Sequence, residues 1–217
     1  MRTHICFHGI GRCIREREPG EARYWMTEKV FLEVLDVLVE HPAVGLSFDD
    51  GNRSDAEIAL PALHERGLSA TFFALAGRLD EPASLRASDL RELRGAGMTI
   101  GSHGWDHVSW RGLSSTDAQR ELVDARLALE EASGTVITEA ALPLGRYDRT
   151  LLVRLKAAGY RAVYTSDRFP AREHGWLRAR YSVTAEDTAA SVLSVAAGRP
   201  GLPEARNVIA SGVKRLR

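Results

Sequence analysis

An adjacent pair of carboxylates stands in the run Ser47-Phe48-Asp49-Asp50-Gly51, and two imidazoles four positions apart stand in Ser102-His103-Gly104-Trp105-Asp106-His107. Two histidines and one carboxylate suffice to hold a divalent cation with coordination positions left open, and a second carboxylate beside them serves as proton acceptor. Neighbouring side chains on a strand point to opposite faces, so the two aspartates share one site only if the backbone turns, and Gly51 permits that turn. One aspartate then reaches the cation while the other faces the water it activates. Each half alone has an ordinary reading: a surface Asp-Asp-Gly turn, or a chance spacing among seven histidines. Together they point to metal-assisted hydrolysis.

These residues must be positioned by the elements around them. Short apolar runs alternate with segments of helical period, the pattern of parallel strands joined by helices. It predicts strands over residues 5–8, 44–48, 70–75, 99–102, 140–143, 162–165 and 177–183. Between them it predicts helices over 27–40 with Thr27 as N-cap, 54–66 with Pro61 kinking or dividing it, 88–94, 115–132, 150–158 and 187–197. Gly67, Gly95, Gly134 and Gly159 mark helix ends. His8 ends the first strand, Asp49 and Asp50 the second, His103 and His107 follow the fourth, Pro143 to Gly145 the fifth and Asp167 the sixth. In parallel α/β architectures the carboxyl ends of strands form the functional face, so unrelated strands deliver polar groups to one rim. Residues 9–25, rich in Gly, Arg and Glu, read as a long loop of the kind that closes over such a rim.

At 217 residues, 44% hydrophobic and 27% charged, the chain has an ordinary globular composition, read as one domain over 1–200 with a basic tail over 201–217, frayed or docked on the surface. Twenty-nine basic and 29 acidic residues cancel, which removes any general electrostatic drive toward nucleic acid or anionic membrane. No stretch reaches the ~18 apolar residues of a membrane span. With Met1 to His4 running straight into a strand and no apolar leader, the sequence predicts a cytoplasmic protein. The two cysteines, Cys6 and Cys13, are read as free thiols.

The run 47–51 resembles the first motif of the polysaccharide deacetylases, the NodB-homology family, and the run 102–107 resembles the second. Thr71-Phe72-Phe73 and the approach Leu93-Arg94-Gly95-Ala96-Gly97-Met98 are also similar to that family. The resemblance implies an α/β fold, a distorted (β/α) barrel of about seven parallel strands. It also implies metal-dependent hydrolysis of N-acetyl groups on amino sugars. On it, Asp50, His103 and His107 are the metal ligands, Asp49 the general base and the Leu144 N–H the oxyanion donor. Zinc is the implied metal, with cobalt, nickel or manganese as alternatives.

Two departures stand out. The family's third motif usually opens with an arginine that pairs with the base aspartate, and here Ala141 takes that place. Arg146, Arg178 and Arg180 are candidate substitutes, and without one Asp49 is expected to have a raised pKa. The family's C-terminal histidine is also missing, since none follows His174. His8 resembles the general acid of relatives whose motif order is permuted, with Asp167 either orienting it on the substrate side or capping a helix.

The leading expectation is a deacetylase of an intracellular amino sugar or sugar-bearing intermediate, with a small-molecule or oligosaccharide substrate. A hydrolase of a non-sugar amide and a catalytically silent carbohydrate-binding protein are the alternatives. Trp25, Trp105, Trp110 and Trp176 fall near the rim, where core packing explains each as well as sugar stacking does.

Overall fold

A computed structural model describes residues 1–198 and 202–216. Its strands are β1 (His4–Phe7), β2 (Gly9–Ile10), β3 (Trp25–Met26), β4 (Gly45–Asp49), β5 (Ala70–Ala74), β6 (Thr99–Ser102), β7 (Glu139–Ala141), β8 (Ala162–Thr165), β9 (Leu177–Ala179) and β10 (Tyr181–Ser182). Eight of them form one parallel sheet in the order β10-β1-β4-β5-β6-β7-β8-β9. Its two edges are consecutive in the chain. The strand expected over 177–183 breaks at Arg180: Leu177 and Ala179 pair with β8, then Tyr181 and Ser182 pair with β1. One segment thereby nearly closes the ring, which is why about seven strands are legible in the sequence where eight are assigned.

Alternation on the strands separates an outer core from a lumen. Phe48 is fully buried against the helical layer, with its ring 5.1 Å from Phe7 and 4.7 Å from Phe72. Its neighbours Ser47 and Asp49 face inward, where Phe73, Ala141, Ala162 and Tyr164 form a small inner cluster.

The helix Glu28–Leu38 buries Phe31, Val34, Leu35 and Leu38 against this sheet, and its N-cap Thr27 accepts a hydrogen bond from the Val30 N–H at 3.3 Å. Thr27→Ala is expected to lower unfolding free energy by about 1 kcal/mol, measured by denaturant titration, because one orphan N–H loses its acceptor.

Two of the expected helices contain a widened turn. Asp55–Ala59 is a π-turn running into Leu60–Glu65, next to Pro61, which has no N–H to give the regular ladder. The helix expected over 115–132 divides into Ser115–Gln119, a π-turn at Arg120–Asp124, and Ala125–Ser133, closed by Gly134 in the left-handed region.

The tail differs from a frayed end. Leu202–Leu216 is a helix tied to the barrel by a 2.8 Å Tyr147–Ser211 hydrogen bond and by Lys214 on Asp167. Residues 199–201, where the sequence places the domain boundary, lie outside the described residues. No helix among the described residues is long and apolar enough to cross a membrane.

Candidate metal centre and active site

β4 delivers Asp49, and the chain then passes through two successive left-handed residues, Asp50 (φ 75°) and Gly51 (φ 63°). A side chain at that φ carries backbone strain of order 1–3 kcal/mol, of the kind that collects at functional sites. The turn sends the two carboxylates to different partners. Asp50 Oδ1 lies 3.5 Å from His103 Nε2 and 3.4 Å from His107 Nε2, and it is buried without a hydrogen-bond partner among the described residues.

The opposite ring nitrogens are occupied. His103 Nδ1 lies 2.9 Å from the Ala141 carbonyl, and His107 Nδ1 lies 2.7 Å from the Glu18 carboxylate. Both partners only accept, so each Nδ1 is the donor there and each Nε2 is the ring nitrogen turned toward the centre. Burial pushes the His103 imidazole down to about 4, against the opposing effect of Asp49 and Asp50, so it is neutral at physiological pH. An orphaned carboxylate oxygen facing two imidazole Nε2 atoms is a donor set able to hold a divalent cation, and ligand atoms of the three residues lie within 4.8 Å of one another. Cys6, His8 and Asp49 form a second group of that size, but burial pushes the Cys6 thiol well up and Asp49 is otherwise engaged.

Asp49 is held by Arg180 through two parallel hydrogen bonds, Nη1 to Oδ1 at 2.7 Å and Nη2 to Oδ2 at 2.6 Å. Arg180 Nη1 also reaches Ser47 Oγ at 3.0 Å. Of the three candidate arginines, Arg180 therefore takes the place left by Ala141. Arg178 pairs instead with Glu139 and the Tyr164 hydroxyl, and exposed Arg146 lines the cavity. The expected rise in the Asp49 pKa is corrected accordingly. Burial acts upward, but the Arg180 charge outweighs it with help from His103, and the carboxyl sits well below the usual carboxylate range.

The loop bearing the histidines is shaped from the π-turn. Glu121, 2% exposed, accepts from the Trp105 N–H (2.8 Å), the Asp106 N–H (3.1 Å) and Trp110 Nε1 (3.1 Å). Gly104, at φ 94°, lies where any Cβ would meet Glu121 and the Trp110 ring. Glu121→Gln replaces one acceptor oxygen with a donor group facing N–H groups. It is expected to cost about 1–3 kcal/mol in thermal or denaturant unfolding, the penalty of an unsatisfied buried group.

A cavity of about 330 Å³ opens onto the centre. His8, Leu144, Asp49, Asp50, His103 and His107 all line it. His8 leans against Tyr24 with ring centroids 4.8 Å apart, and its Nδ1 is buried without a hydrogen-bond partner among the described residues. Leu144 sits at φ 56° in the turn Pro143–Gly145. Asp167 does not line the cavity. Its carboxylate takes Tyr147 Oη (2.6 Å), Thr165 Oγ1 (2.9 Å) and Lys214 Nζ (2.5 Å), so the expected contact with His8 gives way to a clasp on the last helix. None of the four tryptophans lines the cavity, whose aromatic wall is Tyr24. Glu18, Tyr24 and Glu121 are site residues that sequence reasoning missed. The only signal for the first two was the loop 9–25 itself.

A nearly closed parallel barrel with a two-histidine, one-carboxylate centre at its strand ends defines the class of this protein. The polysaccharide deacetylase family profile matches residues 37–163, and the chain belongs to that family. His8 and Arg180 lie outside the matched span. The Bacillus subtilis protein named "Putative polysaccharide deacetylase YxkH" is 26% identical over 149 residues, 69% of this chain and 51% of that protein. The peptidoglycan-N-acetylglucosamine deacetylase PgdA of Listeria monocytogenes is 27% identical over 107 residues, 49% of this chain and 22% of PgdA. The chain thus spans about half or less of the length of these relatives. Among solved structures, the Streptococcus pyogenes deacetylase PplD in complex with acetate shares the fold, with TM-score 0.78 at 19% identity over 92% of this chain and 98% of that one.

Proposed function

We propose that this chain is a divalent-metal-dependent deacetylase that hydrolyses the N-acetyl group of an amino sugar. The observation that carries the reading is the orphaned Asp50 oxygen facing two imidazole Nε2 atoms, with the ionised carboxylate of Asp49 lining the same cavity. Family membership supports the reaction, and the N-acetylglucosamine in PgdA's name supports the sugar. A cation held by Asp50, His103 and His107, zinc first and cobalt, nickel or manganese as alternatives, would polarise the acyl carbonyl and acidify a water.

The chain's own groups do the rest. Asp49, fixed in orientation by Arg180, takes the proton of the attacking water. The Leu144 N–H is the donor toward the developing oxyanion. His8 gives a proton to the departing nitrogen, and the C–N bond breaks to leave acetate and a free amine. Arg180 on Asp49 and His8 in the cavity support the catalytic reading over a silent carbohydrate-binding one. The test is acetate release from N-acetylglucosamine oligomers by protein stripped with a chelator and by the same protein resupplied with Zn²⁺ or Co²⁺. Release only after resupply is the expected result, and no release in either state rejects the reading.

A further inference from the structure

The loop between β2 and β3 has its ends paired, Gly9 with Trp25 and Ile10 with Met26, so the chain between them forms a closed loop. Two neighbouring residues of this loop reach in opposite directions. Arg17 donates to Ser84 Oγ at 3.0 Å and to Asn52, two positions beyond Asp50. Glu18 sets both carboxylate oxygens 2.7 Å from His107 Nδ1 and also pairs with Arg78. The loop therefore grips the segments that carry two of the three ligands.

His103 is held by a backbone carbonyl inside the barrel, but His107 is held by a side chain from 89 residues away. We propose that Glu18 is a positioning residue of the metal centre, fixing His107 in its Nδ1–H form and thereby coupling occupancy of the centre to the latching of residues 9–26. A cation on Nε2 polarises the ring and strengthens the Nδ1–H bond to the carboxylate. The coupling is reciprocal by linkage: whatever the latched loop contributes to holding the cation, the cation contributes to holding the loop.

The inference rests on Asp50, His103 and His107 binding a divalent cation, and its test uses Co²⁺ without substrate. In competition with a chromogenic chelator, Glu18→Gln is expected to bind Co²⁺ about 10–100-fold more weakly than the parent, with Glu18→Asp recovering part of the loss. At saturation the Co²⁺ absorption bands of Glu18→Gln should differ from the parent's, a change that mere loosening of a distant loop does not produce. The loop also carries exposed Arg12, Arg15 and Arg23, which are sites for trypsin. Co²⁺ should slow cleavage there in the parent and lose that effect in Glu18→Gln. Affinity within twofold of the parent and unchanged bands in Glu18→Gln, or loop cleavage indifferent to Co²⁺ in the parent, overturns the proposal. A parent that binds no Co²⁺ ends the metal reading along with it, so the two failures are distinguishable.

Discussion

Asp49→Asn is expected to lower the rate of acetate release by about 10²–10⁴-fold, the usual contribution of a positioned general base, while Co²⁺ remains bound. The two readouts separate because the proposed ligand atoms belong to other residues. Asp50 Oδ1 faces the Nε2 atoms of His103 and His107, and Asp49 Oδ2 stands 3.9 Å from His103 Nε2. Asparagine keeps the shape of the side chain and removes its charge, so the water loses its proton acceptor but the cation keeps its donors. Rates at saturating substrate and Co²⁺ titrations of parent and variant check both halves. A variant that retains a tenth of the parent rate denies Asp49 its role as base. A variant that loses the cation moves Asp49 from base to ligand.

What the sequence disclosed and what it concealed divide along the distance over which each residue is placed. Asp49, Asp50, His103 and His107 are positioned by their own strand ends and adjacent glycines, so a few neighbouring residues carry the information. Phe48 between Ser47 and Asp49 even shows which face each side chain takes. The partners come from far away: Arg180 is 131 residues from Asp49, and Glu18 is 89 from His107.

Choosing among three arginines needed the closure of the ring. Arg178 and Arg180 share a face, but Arg178 is spent on Glu139 and Tyr164, and only Arg180 sits where pairing passes from β8 to β1. Asp167 was misplaced because a strand-end position does not say where a side chain points. The final helix escaped for a different reason. It attaches through buried Ser211 and through Lys214 while Val208, Ile209 and Leu216 are exposed, which inverts the apolar pattern by which helices are read.

Arg180→Gln is expected to cost about 3–5 kcal/mol of unfolding free energy at neutral pH, because it leaves the buried Asp49 carboxylate without its countercharge. Arg180 is 1% exposed, and its guanidinium lies over Phe73 and Tyr164, with centroids 5.3 and 5.7 Å from Cζ. Arg180→Lys should recover only part of the loss, since a single ammonium cannot reproduce two parallel hydrogen bonds. The sign with pH follows from the shift. In the parent the depressed Asp49 pKa adds stability that is present above the unfolded value of about 3.9 and lost as pH falls through the folded one. Without Arg180 burial dominates and raises that pKa, so the penalty grows as pH rises above about 3.9 and the gap between variant and parent narrows in acid. Asp49→Asn alone strands the guanidinium instead, and the double variant Asp49→Asn/Arg180→Gln strands neither charge. Denaturant titrations of all four proteins should therefore show the double variant losing clearly less than the sum of the singles. Simple additivity, or an Arg180→Gln protein within about 1 kcal/mol of the parent, would mean that Asp49 finds its counterion elsewhere and that Ala141 has no substitute in the barrel.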